Sequence, residues 1–177
     1  MTHKRSDEIA TPKGEWATPT PLFQVIDAAY GPIEIDLAAT EENSKCNLFF
    51  DKELDTFKQD WGACGIGFLN PDYSRGVIDR FMKKTFTETR KKGTRVVILI
   101  PLAGDTDWFD RYVMHGAAVT HLVHGRVGFV GYYKDGSQVK QKPSFASCVA
   151  VFDRSLEQFG GRPVWGETFY QTVRKVT

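Results

Sequence analysis

Four consecutive residues, Asn70, Pro71, Asp72 and Tyr73, follow a short apolar run and have types suited to receiving an amino group. The Asn side-chain oxygen and the backbone carbonyl of the next residue can both accept hydrogen bonds from one amine, provided the loop turns both oxygens inward. Proline stiffens such a loop. A tyrosine three positions after the Asn can lie against a planar base, a contact worth about 1 to 3 kcal/mol in nucleic-acid sites. Two acceptors beside a stacking face describe a pocket for the amine of adenine. The accepted hydrogen bonds would free the nitrogen lone pair, which is otherwise delocalised into the ring, for attack on an electrophilic methyl group. A base inside a duplex would first have to flip out, at a cost of a few kcal/mol. The same tetrapeptide also reads as an ordinary turn, because Asn, Pro and Asp all favour turns.

Asp36 closes a short apolar run and is followed by Leu37, Ala38 and Ala39. A carboxylate at a strand end can accept hydrogen bonds from an ammonium or a ribose hydroxyl, and the two alanines leave room for close approach. His121 and His124 have no acid or cysteine at ligand spacing, so no metal is expected. No glycine-rich phosphate loop and no nucleophile elbow is present.

The elements that must position these residues follow from periodicity. Thr18-Pro19-Thr20-Pro21 predicts a helix start with Thr as the cap, the helix running to Ala29, before a strand over Ile33 to Asp36. Gly65 to Leu69 reads as a buried strand that delivers Asn70 at its C-terminal end, where ligands bind in open α/β sheets. Val77, Ile78, Phe81, Met82 and Phe86 recur at helical spacing between Gly76 and Lys92, and Val96 to Ile100 is a buried strand. A helix capped by Asp105 or Thr106 carries Trp108, Phe109, Tyr112 and Val113, and a strand follows at Val119 to Val123. Gly125 to Phe145 reads as a long hairpin or loop. Ser147 to Phe152 returns as a strand, expected to be antiparallel, and the tail from Gly160 carries no firm pattern. The alternation implies an α/β fold with a mostly parallel sheet flanked by helices.

At 177 residues, with 41% hydrophobic and 25% charged residues, the chain reads as one globular domain. Its longest apolar run, Val96 to Ala103, is far short of the roughly 20 residues of a membrane span. Met1 to Lys13 lacks the apolar stretch of a secretory signal, which makes a cytoplasmic location the expectation. Cys46, Cys64 and Cys148 form no CxxC pair and are expected to be reduced. The net charge of +1 exerts no bulk pull on a polyanion. Affinity for nucleic acid would have to come from clusters, either Lys83, Lys84, Arg90, Lys91, Lys92 and Arg95, or Arg126, Lys134, Lys140 and Lys142.

The tetrapeptide is similar to the Asn/Asp-Pro-Pro-Tyr/Phe signature of amino-methyltransferases, and the chain from about Trp16 to Phe152 resembles the phage-type DNA N6-adenine methyltransferase (Dam) family. Trp16-Ala17-Thr18-Pro19 matches its Trp-x-Thr-Pro element, Asp36-Leu37-Ala38-Ala39 its Asp-x-Ala-Ala element, and Trp61 the tryptophan before its catalytic loop. Ile100-Pro101, Asp107-Trp108-Phe109 and Gly125-Arg126-Val127-Gly128-Phe129 resemble its later blocks.

The resemblance implies a Rossmann-like methyltransferase fold that binds S-adenosylmethionine and methylates adenine in DNA. Asn70, Pro71, Asp72 and Tyr73 would be catalytic. Trp16, Thr18, Pro19, Asp36, Ala38, Ala39 and Asn70 would bind the cofactor, with Thr18 and Pro19 at its methionine end. Asn43, Asp51, Asp55 and Asp60 are weaker candidates around its ribose and adenine. DNA contact would fall to Arg126, Lys140 and Lys142 and to the basic crossover helix. The expected layout is a polar leader over 1–15 and one methyltransferase domain over 16–177, with the insertion at about 125–145.

The sequence departs from the family pattern twice. No Gly-x-Gly follows the first strand, and Asp72 stands where the signature has its second proline. Asp72 could hold the loop through a side-chain turn, assist proton removal, or mark an inactive enzyme. The last alternative would leave a non-catalytic nucleic-acid-binding protein on the same scaffold, and an enzyme acting on free nucleotides shares the pocket logic.

Overall fold

Two hydrophobic layers sandwich a sheet whose strands alternate their side chains between them. In the computed structural model the described residues are 8–91, 93–156 and the short strand at 164–165. The strands are β1 (Ile35–Asp36), β2 (Leu48–Phe49), β3 (Ile66–Leu69), β4 (Arg95–Pro101), β5 (Val119–Leu122), β6 (Phe129–Tyr132), β7 (Gln138–Gln141), β8 (Ser147–Phe152) and β9 (Val164–Trp165). Seven of them form one sheet in the order β2-β1-β3-β4-β8-β5-β9, and β6 and β7 form a separate hairpin. Every pairing in the large sheet is parallel except the two made by β8. The mostly parallel α/β expectation therefore holds, and β8 is antiparallel as expected. It lies inside the sheet, between β4 and β5.

Helix α1 (Thr20–Tyr30) covers one face and α2 (Val77–Glu88) the other. Leu22 and Ile26 of α1 pack with Phe68, Val97, Leu99, Val149 and Val151. The residues between them in sequence, Leu69, Ile98, Ile100, Cys148 and Ala150, point the opposite way and meet Ile78, Phe81 and Met82 of α2. Strands buried on both faces read as continuous apolar runs, which is why β4 and β8 are plain in the sequence. Gly67 sits where a Cβ would lie 2.6 Å from Leu37 Cδ1, so the glycine lets Leu37 pack across β3.

Some local expectations are corrected and others hold. Pro19 is the N-cap of α1, and no side chain caps the helix. The helix starts at Thr20, so Thr18 lies outside it, its hydroxyl buried without a hydrogen-bond partner. The helix expected around Trp108 is present as a π-helix over Phe109–Met114, with Phe109, Tyr112 and Val113 buried, but its N-cap position is Trp108 and neither Asp105 nor Thr106 caps it. The hairpin expected within Gly125 to Phe145 is present as β6–β7, with Phe129 paired to Gln141 and Tyr132 to Gln138. From the weakly patterned tail, Val164–Trp165 pairs parallel to Val119 and Thr120; the rest beyond Leu156 lies outside the described residues.

The polar leader is part of the fold. Residues 8–17 run along β6 through bridges Ile9 to Tyr133 and Ala17 to Val130. Thr11 Oγ1 accepts from the Tyr132 amide at 2.7 Å, and the Ala10 amide donates to the Tyr132 carbonyl at 2.8 Å. The segment thus forms a third edge on the hairpin. All three cysteines are free thiols, and no helix among the described residues is long and apolar enough to cross a membrane.

Candidate active site

Strands β1 and β3 are neighbours in parallel register, Ile35 opposite Gly67 and Asp36 opposite Phe68. Their C-terminal ends therefore bring Asp36 and Asn70 to the same edge of the sheet, two elements that lie over thirty residues apart in sequence. Three cavities meet there. The largest, about 690 Å³, is walled by Trp16, Pro71, Tyr73, Phe129 and Phe145 and has Asn70 and Asp72 on its inner side. A second, about 400 Å³, is lined by Ala38, Ala39, Asn43, Asp51, Asp55 and Phe57 among others. A third, about 10 Å³, holds Asp36, Thr18 and Lys45. Trp16 and Asn70 line the first and third, Ala38 and Asn43 the second and third, and Gly14 and Asp72 the first and second.

Asn70 is fixed at both ends of its amide. Its Nδ2 donates to the Trp16 carbonyl at 3.1 Å, and its Oδ1 accepts from the Tyr73 hydroxyl at 2.6 Å. The Tyr73 hydroxyl also faces the Leu99 carbonyl at 3.0 Å, at the core of β4. A hydroxyl has one proton to donate and the shorter contact is the one to Oδ1, an oxygen with two lone pairs that retains acceptor capacity on a residue lining the cavity. Burial, helped by the Cys148 thiol, holds the Tyr73 phenol well above its usual pKa, so it stays a donor. The ring meets Phe129 and Phe145 edge to face, at 6.1 and 5.7 Å between centroids. The expected stacking partner of a base is thus anchored to Asn70, within a cluster of rings that all border the large cavity.

Asp72 holds the loop through a side-chain turn, the first of the three roles the sequence left open for it. Its Oδ1 accepts from the Ser74 amide at 2.8 Å and the Ser74 hydroxyl at 2.7 Å. This turn supplies by hydrogen bonding the rigidity that a second proline ring supplies by fixing φ. Gly14 packs against the same carboxylate: a Cβ there would lie 2.7 Å from Asp72 Cγ, and its φ of 88° favours glycine in any case.

Asp36 is 3% exposed. Burial raises its pKa from 3.8 to about 6, against hydrogen bonds from the Lys45 and Ala38 amides. The amide contacts are 3.1 Å from Lys45 and 3.4 Å from Ala38. Each Asp36 oxygen takes one amide N–H, and with the partnerless Thr18 hydroxyl in the same small cavity the acceptor capacity left over suits a cationic ammonium or a hydroxyl group.

Other candidates divide. Asn43, Asp51 and Asp55 do border the second cavity. Asn43 is also structural, its Oδ1 accepting from the Thr40 amide and its Nδ2 donating to the Glu15 carbonyl. Asp60 borders none of the three; it caps the 3-10 turn Trp61–Ala63 and pairs with Lys91. Pro19 borders none of them either. The basic crossover helix is largely neutralised. Lys84 and Lys91 both bind Glu88, Arg95 binds Asp153, and Arg90 lies over the Phe86 ring. Arg95 opens β4 at the sheet edge opposite Asn70, and Lys92 lies outside the described residues. Arg126, Lys140 and Lys142 are exposed on and beside the hairpin, whose Gln141 and Phe129 border the large cavity. Among the described residues, no three His, Cys, Asp or Glu side chains gather to hold a metal.

The sequence alone did not single out Thr11, Lys13, Gly14 and Glu15, or Phe145 and Gln141, as cavity residues. Pro12-Lys13-Gly14 is a local turn signal, but nothing nearby in sequence indicates that the turn lies over Asp72.

Substrate-sized cavities at the C-terminal edge of a parallel sheet, with an amide acceptor between a ring-walled pocket and a buried carboxylate, make this a methyltransferase fold. The family model described as DNA N-6-adenine-methyltransferase (Dam) matches residues 5–172, and the chain belongs to that family. A DNA N-6-adenine-methyltransferase of Escherichia phage T1 is 33% identical over 104 residues, 59% of this chain and 42% of the relative. A protein of the same name from Haemophilus phage HP1 is 26% identical over 127 residues, 71% of this chain and 72% of the relative. The chain thus spans less than half the length of the phage T1 relative.

Proposed function

We propose that this protein transfers a methyl group from S-adenosylmethionine to the exocyclic nitrogen of a flipped adenine in DNA. The observation that carries this reading is the clamped Asn70 amide, which lines both the ring-walled cavity and the Asp36 pocket. The cavity volume of about 690 Å³ falls in the range of small-molecule sites.

The residues present fit the cofactor. Asp36, Thr18 and the Trp16 region would take its amino-acid end, and Ala38, Ala39, Asn43 and the acids of the second cavity its ribose and adenine. When bound, it supplies an electrophilic methyl on a sulfonium sulfur. The chain's own residues do the rest. Asn70 Oδ1 and the carbonyl of the loop accept hydrogen bonds from the two amine N–H groups and draw the nitrogen lone pair out of the ring. Tyr73 keeps Oδ1 oriented, and the walls of Trp16, Phe129 and Phe145 exclude water and hold the base. The nitrogen forms its bond to carbon as the carbon–sulfur bond breaks, and a proton then leaves the nitrogen for solvent.

The test is incubation with labelled S-adenosylmethionine and mixed-sequence DNA, followed by nucleoside analysis. N6-methyladenine is the expected product. Cofactor binding with no methylated nucleoside from DNA would instead identify a binding protein on the methyltransferase scaffold, and methylated product from free nucleotides alone would move the substrate class.

A further inference from the structure

Two cations border the large cavity from separate segments. Lys13 comes from the N-terminal segment along β6, and Arg75 from the turn between the Asp72 loop and α2. Both are exposed, and neither is in an ion pair among the described residues. Elsewhere Lys52, Lys58, Lys84, Lys91, Arg95 and Lys134 each have an acid within salt-bridge distance. Asp72 is the one acid among the described residues bordering this cavity, and its Oδ1 already accepts from the Ser74 amide and hydroxyl. The cavity therefore has walls rich in aromatic rings and two cations at its rim against the single Asp72 carboxylate.

A ring-walled interior suits the base of a flipped nucleotide but offers nothing to the phosphates that flank it. Those phosphates must come to the rim, where a flexible Lys and a planar Arg can each meet one. We infer that Lys13 and Arg75 hold the phosphates flanking the flipped adenosine, and so position the strand while the base is in the cavity. The inference rests on the adenine reading above and adds the residues that fix the DNA backbone at the site itself. Contacts of this kind set register and offset part of the flipping cost without reading sequence. They also give the N-terminal segment a role in substrate binding.

The experiment compares wild type, Lys13→Gln, Arg75→Gln and the double variant. It measures the salt dependence of binding to a mixed-sequence duplex, kcat and KM for DNA, and S-adenosylmethionine affinity by calorimetry. Each removed phosphate contact should lower the magnitude of the log–log salt slope by about 0.9. KM for DNA should rise several-fold with each substitution, cofactor affinity should stay at the wild-type value, and Lys13→Arg and Arg75→Lys should restore the slope. A double variant, folded by circular dichroism, with the wild-type salt slope overturns the inference. If the double variant does not fold, the single variants decide by the same criterion. Failure of the adenine reading has a different signature: wild type that binds duplex DNA yet forms no methyladenine, whatever the slopes of the variants.

Discussion

The Tyr73 hydroxyl donates to Asn70 Oδ1 at 2.6 Å, so the ring and the amide of the Asn70–Tyr73 loop act as one unit. Tyr73→Phe keeps the aromatic face and removes only this donor. Loss of one such hydrogen bond costs about 1 kcal/mol, and kcat should fall by about fivefold as Asn70 loses its orientation, with KM for DNA little changed. Steady-state methylation kinetics check this; an unchanged kcat would mean the ring alone matters.

Asn70→Ala removes the side-chain acceptor itself. Methylation should drop by about a hundredfold or more, in the range found for loss of a single group that stabilises charge in the transition state. Cofactor affinity, measured by calorimetry, should remain close to wild type. Comparable losses in both would place Asn70 chiefly in the cofactor pocket.

Asp72 accepts twice from Ser74 through Oδ1. Asp72→Asn keeps that acceptor and should retain most activity, whereas Asp72→Ala should lower kcat and loosen the loop by about 1 kcal/mol. Asp72→Pro trades the turn for ring stiffness and should leave activity similar or higher. Thermal unfolding and methylation rates together separate these outcomes, and an inactive Asp72→Asn would assign the carboxylate charge a chemical role.

The pKa of Asp36 is raised from 3.8 to about 6 by burial. The ligand-free fold holds that proton more tightly than the unfolded chain does. The stability it contributes is fully present below about pH 4 and lost as pH rises through 6, by about 3 kcal/mol. Asp36→Asn should flatten this slope and stabilise the ligand-free protein at pH 7, as denaturant titrations at pH 4.5 and 7 would show. A cationic ligand prefers the ionised form, so S-adenosylmethionine affinity should strengthen through about pH 6 in wild type and fall markedly in Asp36→Ala. Calorimetry with an unchanged affinity in that variant would remove Asp36 from the site.

Arg126, Lys140 and Lys142 stand exposed on and beside the β6–β7 hairpin, whose Phe129 and Gln141 border the large cavity. Their joint replacement by Gln should flatten the salt dependence of DNA binding by up to about 0.9 per lost contact, with cofactor affinity untouched. An unchanged slope would return the hairpin to an ordinary surface role.

By itself the sequence determined the features that rest on near neighbours. The apolar runs of β3, β4 and β8, the periodicity of α2, the Gly31-Pro32 stop after α1 and the Asn70-Pro71 loop are short-range patterns, because helix and strand repeat within a few residues. The ordered motifs from Trp16 to Phe129 also carried the family assignment that the comparisons then showed. Tertiary structure alone decided what depends on distant partners. It placed β8 between β4 and β5, and it drew residues 8–17 onto β6, more than a hundred positions away. It gave Asp60 and Lys91 to each other and bound the Tyr73 hydroxyl to Asn70. A lysine, an aspartate or a tyrosine has the same formula whether it faces solvent, a counter-charge or a substrate. Which of these it meets is set by chain packing, where burial and long-range hydrogen bonds outweigh local preference.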